Sequence, residues 1–240
     1  MEFNKKYQRV NDLLTHIAFG IWAVLALYFF QERLYSDSGF YLSKVITYET
    51  FWIELSRFVL VFSEWLPLLC LKLGCSLKTV LIAYSLGHVL FCYGIYWMGR
   101  YRWDNHQIGW FLIAIQTVGI LHGFCAPGFE LYYVGSLLGL FAVILDYSKT
   151  SKQQYFYLFL LTFIIVINYL LASWIIGGLL LLHFSKQGFK DWKKYLGIAI
   201  VILLTFGFKK LLTTHSYEIE KNGAICTQSN RADLWVERLY

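Results

Sequence analysis

The stretch YFYLFLLTFIIVINYLLASWIIGGLLLLHF, residues 155–184, decides how this chain is built. An α-helix rises about 1.5 Å per residue, so about 20 apolar residues cross about 30 Å of hydrocarbon. Thirty residues are long for one upright helix and enough for two short ones broken between Asn168 and Ser173. Charge placement chooses between them, because Lys and Arg held on the cytoplasmic side orient membrane helices. With two helices, over 155–169 and 171–184, residues 1–12, 99–107, 148–154 and 185–194 share one side and hold 11 of the 21 Lys and Arg in 38 residues. With one helix, Lys186, Lys190, Lys193 and Lys194 would fall opposite the rest. The two-helix reading is therefore the expectation.

Working outward gives further apolar runs at 13–31, 78–98, 108–124, 129–147 and 195–212. The fold class expected is an all-α polytopic membrane protein of about seven transmembrane helices. Its N-terminus is cytoplasmic, and the loop 32–77 and the tail 213–240 lie outside. A multi-pass protein of the plasma (inner) membrane follows. Composition agrees: 58% of the 240 residues are hydrophobic and 15% charged, against about 25% charged in a soluble domain, and the mean hydropathy is +0.52. Two prolines and no low-complexity linker argue for a single transmembrane domain, 1–212, with a polar tail.

The run 13–31 follows Lys5, Lys6 and Arg9, as a secretory signal would. It is longer than a signal core, and its exit, Tyr28-Phe29-Phe30-Gln31-Glu32, lacks the small residues of a cleavage site. An uncleaved anchor is expected. Lys209 and Lys210, at the outer end of the last span, read as snorkelling side chains. The formal charge of +6 is spread over topological markers, so no nucleic-acid partner is expected.

His88 is the one ionisable side chain in the middle of a span, with Gln116 and Asn168 polar but uncharged. Buried polar groups are usually hydrogen-bonded, and His88 is read as pairing with a neighbouring helix. The spacings Gly119-xxx-Gly123 and Gly135-xxx-Gly139 mark close helix packing. Cys70, Cys75, Cys92, Cys125 and Cys226 form no CxxC pair and no Cys/His ligand spacing, so free thiols are expected. No HExxH, Walker A or GxSxG motif is present.

Chemistry is sought in the outer loop. It opens as QERLYSDSGFYL, residues 31–42, and continues as an apolar run over 51–74 carrying Glu54, Arg57, Glu64 and Lys72. On a helix those four charges fall within an arc of about 80°. An interfacial amphipathic helix over 51–74 is expected, its charged stripe toward water.

This layout resembles the GT-C membrane glycosyltransferases that use polyprenyl-phosphate sugars, a class including the protein O-mannosyltransferase-like and aminoarabinose transferase-like families. The resemblance spans 13–212 and corresponds to the class's N-terminal module; the class usually has more spans and often an outer soluble domain, so the tail 213–240 reads as the start of a truncated continuation. In those families a catalytic acid early in the first outer loop is followed by tyrosines. The match is Ser36-Asp37-Ser38-Gly39-Phe40-Tyr41, with Ser38 where a second acid is often found. The resemblance implies inverting transfer of a sugar from a lipid-linked donor to an acceptor hydroxyl, with Asp37 as base and Tyr41 beside it.

A cation should stabilise the departing phosphate, and Arg does this bidentately. Arg57 is the first choice and Lys44 the second; His122 and Glu130, around the outer turn between the third and fourth spans, complete the substrate-binding set. Some members of the class use a divalent cation, Mg or Mn, and others none, and a partner subunit is left open. Two rival readings remain: a transporter or flippase for a lipid-linked substrate, which predicts a polar path across the bilayer, and a non-catalytic membrane assembly protein, which predicts that Asp37 is dispensable.

Overall fold

The computed structural model describes residues 2–35, 37–53, 57–118, 125–147 and 151–212. Every regular element among them is helical. The α-helices are α1 (Glu2–Tyr28), α2 (Asp37–Tyr48), α3 (Val61–Lys72), α4 (Leu77–Trp97), α5 (Ile108–Val118), α6 (Glu130–Leu145), α7 (Lys152–Asn168), α8 (Ala172–Gln187) and α9 (Trp192–Leu212). Two stretches, Tyr7–Tyr28 and Leu77–Arg102, are long and apolar enough to cross a membrane, while α5 and α6 are apolar but shorter.

Local chemistry sets several boundaries. The hydroxyl of Ser76 accepts the Thr79 N–H to open α4, and that of Ser151 accepts the Gln154 N–H to open α7, each supplying an acceptor the helix start lacks. Gly188 ends α8 with φ of +63°, a conformation that L side chains avoid. The stretch 155–184 breaks at Tyr169, Leu170 and Leu171 into α7 and α8. There Asn168 turns its side-chain oxygen to the Val59 N–H, 2.6 Å away.

Helix directions follow from the contacts. Asp12 of α1 meets Arg100 and the Ala26 carbonyl meets Ser85, so α1 and α4 are antiparallel. Ile115 packs on Gly135 and Phe111 on Gly139, making α5 and α6 antiparallel. Phe159 packs on Gly197, and the Lys209 ammonium donates to the Ile167 carbonyl at 2.8 Å, so α7 and α9 run the same way. Tyr84, Tyr96, Tyr133, Phe141, Leu112 and Ile144 lie fully buried where these helices meet. The short helices α2 and α3 cover one end, and Arg100, Arg102, Lys152 and the lysines after α8 gather at the other.

The loop 32–77 departs from expectation. No helix spans 51–74: residues 51–53 and 57 are irregular, Phe58–Leu60 forms a 3-10 turn, and α3 begins only at Val61. Asn168 of α7 takes the Val59 N–H that a continuous helix would pair internally, and Glu64 Oε2 accepts the Trp52 N–H at 2.8 Å. The single water-facing stripe dissolves with the helix. Lys72 is exposed, but Glu64 is fully buried, and Glu54 lies outside the described residues. The motif-bearing segment, expected as loop, instead forms α2, whose face Ser38, Tyr41, Leu42 and Val45 is buried.

Candidate functional site

Two glycines let the motif pack. A Cβ at Gly39 would come within 2.6 Å of the Leu34 carbonyl oxygen, so α2 reaches this depth only with glycine there. A Cβ at Gly128 would collide with the Tyr84 hydroxyl and Ser38, and the Gly128 N–H donates to Ser38 Oγ at 2.9 Å. The turn before α6 is thereby fastened to the first turn of α2.

That fastening brings Glu130, in the first turn of α6, to the irregular segment before α3. Arg57 Nη1 donates to the Tyr41 hydroxyl at 3.1 Å and lies 3.2 Å from Glu130 Oε1. The Arg57 side chain is 25% exposed and that of Glu130 8%, so the guanidinium is held from its buried side and still reaches solvent. Among the described residues both contacts use the same nitrogen, and Glu130 Oε2 is buried with no partner. Tyr41 is buried beneath the pair.

Asp37 sits one helical turn before Tyr41 on α2. It is exposed and makes no hydrogen bond or ion pair among the described residues. Lys44 is not part of the convergence: its ammonium lies 5.2, 5.4 and 5.9 Å from the ring centres of Phe40, Trp52 and Tyr48, a cation–π box. His122 lies outside the described residues. Tyr41, Arg57 and Glu130 are therefore brought together, Asp37 stands next to them, and Lys44 stands apart.

Two buried polar groups at this end were not singled out as site residues. Arg33, fully buried, donates from Nη1 to the Ser85 carbonyl at 2.6 Å and hydroxyl at 2.9 Å, and its Nη2 lies 3.1 Å from His88 Nδ1. His88 is thus hydrogen-bonded to a side chain from the loop after α1. Glu64 holds the Trp52 N–H with one oxygen, while the other is buried without a partner among the described residues. Burial pushes its carboxyl up to about 8, against the smaller downward pull of the Trp52 N–H. The only sequence signal for Glu64 was its place in a strongly apolar run.

Beside this cluster, an apolar groove of about 500 Å³ runs between α3 and α4, lined by Val61, Phe62, Trp65, Leu90 and Phe91. Gly87 and Gly94, seven residues apart on α4, form part of its floor. Among the described residues, no group of three or more His, Cys, Asp or Glu is placed to hold a metal ion, and Cys70, Cys75, Cys92 and Cys125 are free thiols. No family model, curated protein or solved structure matches the chain.

Proposed function

We propose that this chain is a multi-pass membrane glycosyltransferase of the GT-C-like kind, moving a sugar from a polyprenyl-phosphate donor to an acceptor hydroxyl at the outer face of the plasma membrane. The observation that carries the reading is the clamp of Arg57 by Tyr41 and Glu130, one turn from the unengaged carboxylate of Asp37. A guanidinium aimed by a buried carboxylate is fitted to receive phosphate oxygens. The groove between α3 and α4, apolar along its walls, suits a polyprenyl chain whose phosphate ends near Arg57. Seven helices, α1 and α4 to α9, cross the bilayer in this reading, with α2 and α3 at the outer surface.

The chemistry divides between the two charges. The acceptor oxygen attacks the anomeric carbon, its proton passes to the Asp37 carboxylate, and the anomeric bond to phosphate oxygen breaks with inversion. Polyprenyl phosphate leaves carrying the bonding electron pair, and Arg57 stabilises the charge that develops. Glu130 and Tyr41 are positioning residues: they keep the guanidinium in place before substrate arrives, which lowers the reorganisation needed in the transition state.

The test is transfer of radiolabelled sugar from polyprenyl-phosphate donors to membrane acceptors, comparing wild type with Asp37→Asn at matched expression. Loss of a general base costs about 10²–10⁴-fold, so transfer should fall at least about 100-fold while the exposed position leaves folding intact. Transfer unchanged by the substitution would remove Asp37 from the mechanism. Transfer absent from wild type with every donor offered would overturn the enzyme reading.

A further inference from the structure

At the end of the bundle opposite the candidate site, a second pocket of about 270 Å³ opens between α5, α6 and α8. Its lining is graded along the helices. Phe111, Gly139, Val143 and Leu179 line the deeper part, and the Phe111 ring occupies the place a Cβ at Gly139 would take. Asn105 and Gln107 before α5, Asp146 at the end of α6, and His183 and Lys186 in the last turns of α8 are its polar lining. A polar mouth over an apolar floor matches an amphiphile entering head-outward.

Among the described residues, the mouth carries one charge of each sign with no ion-pair partner. Lys186 and Asp146 line the same pocket, yet neither forms an ion pair with the other or with any described residue. Among the described residues, Lys194 pairs with Asp191 at 2.9 Å, and Arg100 with Asp12 and Asp104. His183 lies one turn before Lys186 and is buried, with Nδ1 held 2.8 Å from the Tyr195 hydroxyl. One donor for a phosphate, the Lys186 ammonium, thus lines the same pocket as one carboxylate acceptor, Asp146.

We propose that this pocket binds a phospholipid whose headgroup carries a phosphate and a primary ammonium, a phosphatidylethanolamine, from the cytoplasmic leaflet. The phosphate lies on Lys186, the ammonium on Asp146, and the first part of an acyl chain on the Phe111 and Leu179 side. A glycerol headgroup would place no cation against Asp146, and a choline headgroup would offer it no N–H. The pocket volume is just below the range of sites that enclose a whole ligand, so the rest of the lipid stays in the bilayer.

The inference rests on the membrane reading above, and the experiment separates the two. Membranes carrying the full chain are washed with alkaline carbonate, and the chain extracted from the pellet into detergent is mixed with equal amounts of dioleoyl-phosphatidylethanolamine, -phosphatidylglycerol and -phosphatidylcholine for native mass spectrometry. Retained phosphatidylethanolamine should exceed phosphatidylglycerol by up to about fivefold, the scale of one exposed charge pair. Asp146→Asn should bring that ratio to about one, and Lys186→Gln should lower retention of all three lipids. Both side chains are exposed, so neither change threatens the fold, and Val143→Phe should reduce retention by filling the floor. Equal retention of the three lipids, or a preference that survives Asp146→Asn, overturns the lipid inference alone. A chain released by carbonate overturns it together with the membrane reading.

Discussion

The two ends of the bundle handle charge differently. At the basic end, Arg100 Nε donates to both oxygens of Asp12 at 2.8 and 3.0 Å, and His106 Nδ1 and the Tyr96 hydroxyl each stand 3.4 Å from Oδ1. Both carboxylate oxygens are engaged, and the knot ties α1 to the π-helical turn Met98–Arg102 that follows α4. At the α2 and α3 end, Glu130 and Glu64 each leave a buried oxygen without a partner among the described residues. A buried acceptor left over costs about 1–3 kcal/mol. Neutral groups leave buried valences open at the basic end too, at Asn11 Oδ1, Trp103 Nε1 and Gln154 Oε1; among the described residues the carboxylates with a buried open oxygen both lie at the α2 and α3 end, which marks that cluster for something besides stability.

That contrast can be broken at either end. Arg57→Ala removes the cation from the open cluster: transfer should fall by about 10²–10³-fold, and thermal unfolding in detergent should show a loss of about 1–3 kcal/mol from the abandoned Glu130. Arg57→Lys should recover most of that stability and little of the transfer, since a point charge replaces a planar fork. Arg100→Ala should cost about 1–2 kcal/mol, with transfer per folded molecule unchanged; a large drop there would erase the distinction between the ends. Glu64→Gln sharpens the comparison through pH. The folded state keeps the Glu64 proton up to about 8 and the unfolded chain loses it near 4.5, so folding takes up a proton between those values and stability falls as pH rises through that window. The melting temperature of wild type should therefore drop relative to Glu64→Gln from about pH 5 to about pH 8 and run parallel above.

The helical character is legible in the apolar runs, because an unbroken run near 20 residues leaves the backbone no economical alternative in an apolar setting. The segment holding the candidate site is legible too, since it is where charged and aromatic residues crowd between apolar runs. Its internal structure is not. Treating 51–74 as one helix puts Arg57 and Glu64 on a common face, whereas Val59 gives its N–H to Asn168 and the α-helix starts only at Val61. The acceptor for Val59 lies 109 residues further along the chain, a separation no local pattern reports. Arg57 and Glu130 could be suspected of sharing a site from topology, yet their pairing depends on Gly128 fitting over Ser38, a matter of sub-ångström clearance.

Arg33 carries a consequence for the timing of synthesis. Its guanidinium joins the loop after α1 to Ser85 and His88, 52 and 55 residues later. At about 5–20 residues per second, the ribosome reaches those partners roughly 3–11 s after adding Arg33. Until then α1 has no α4 to lock against, and Arg33, the most buried cation among the described residues, waits in an unfinished protein. That interval is the window in which the nascent chain has yet to close on Arg33.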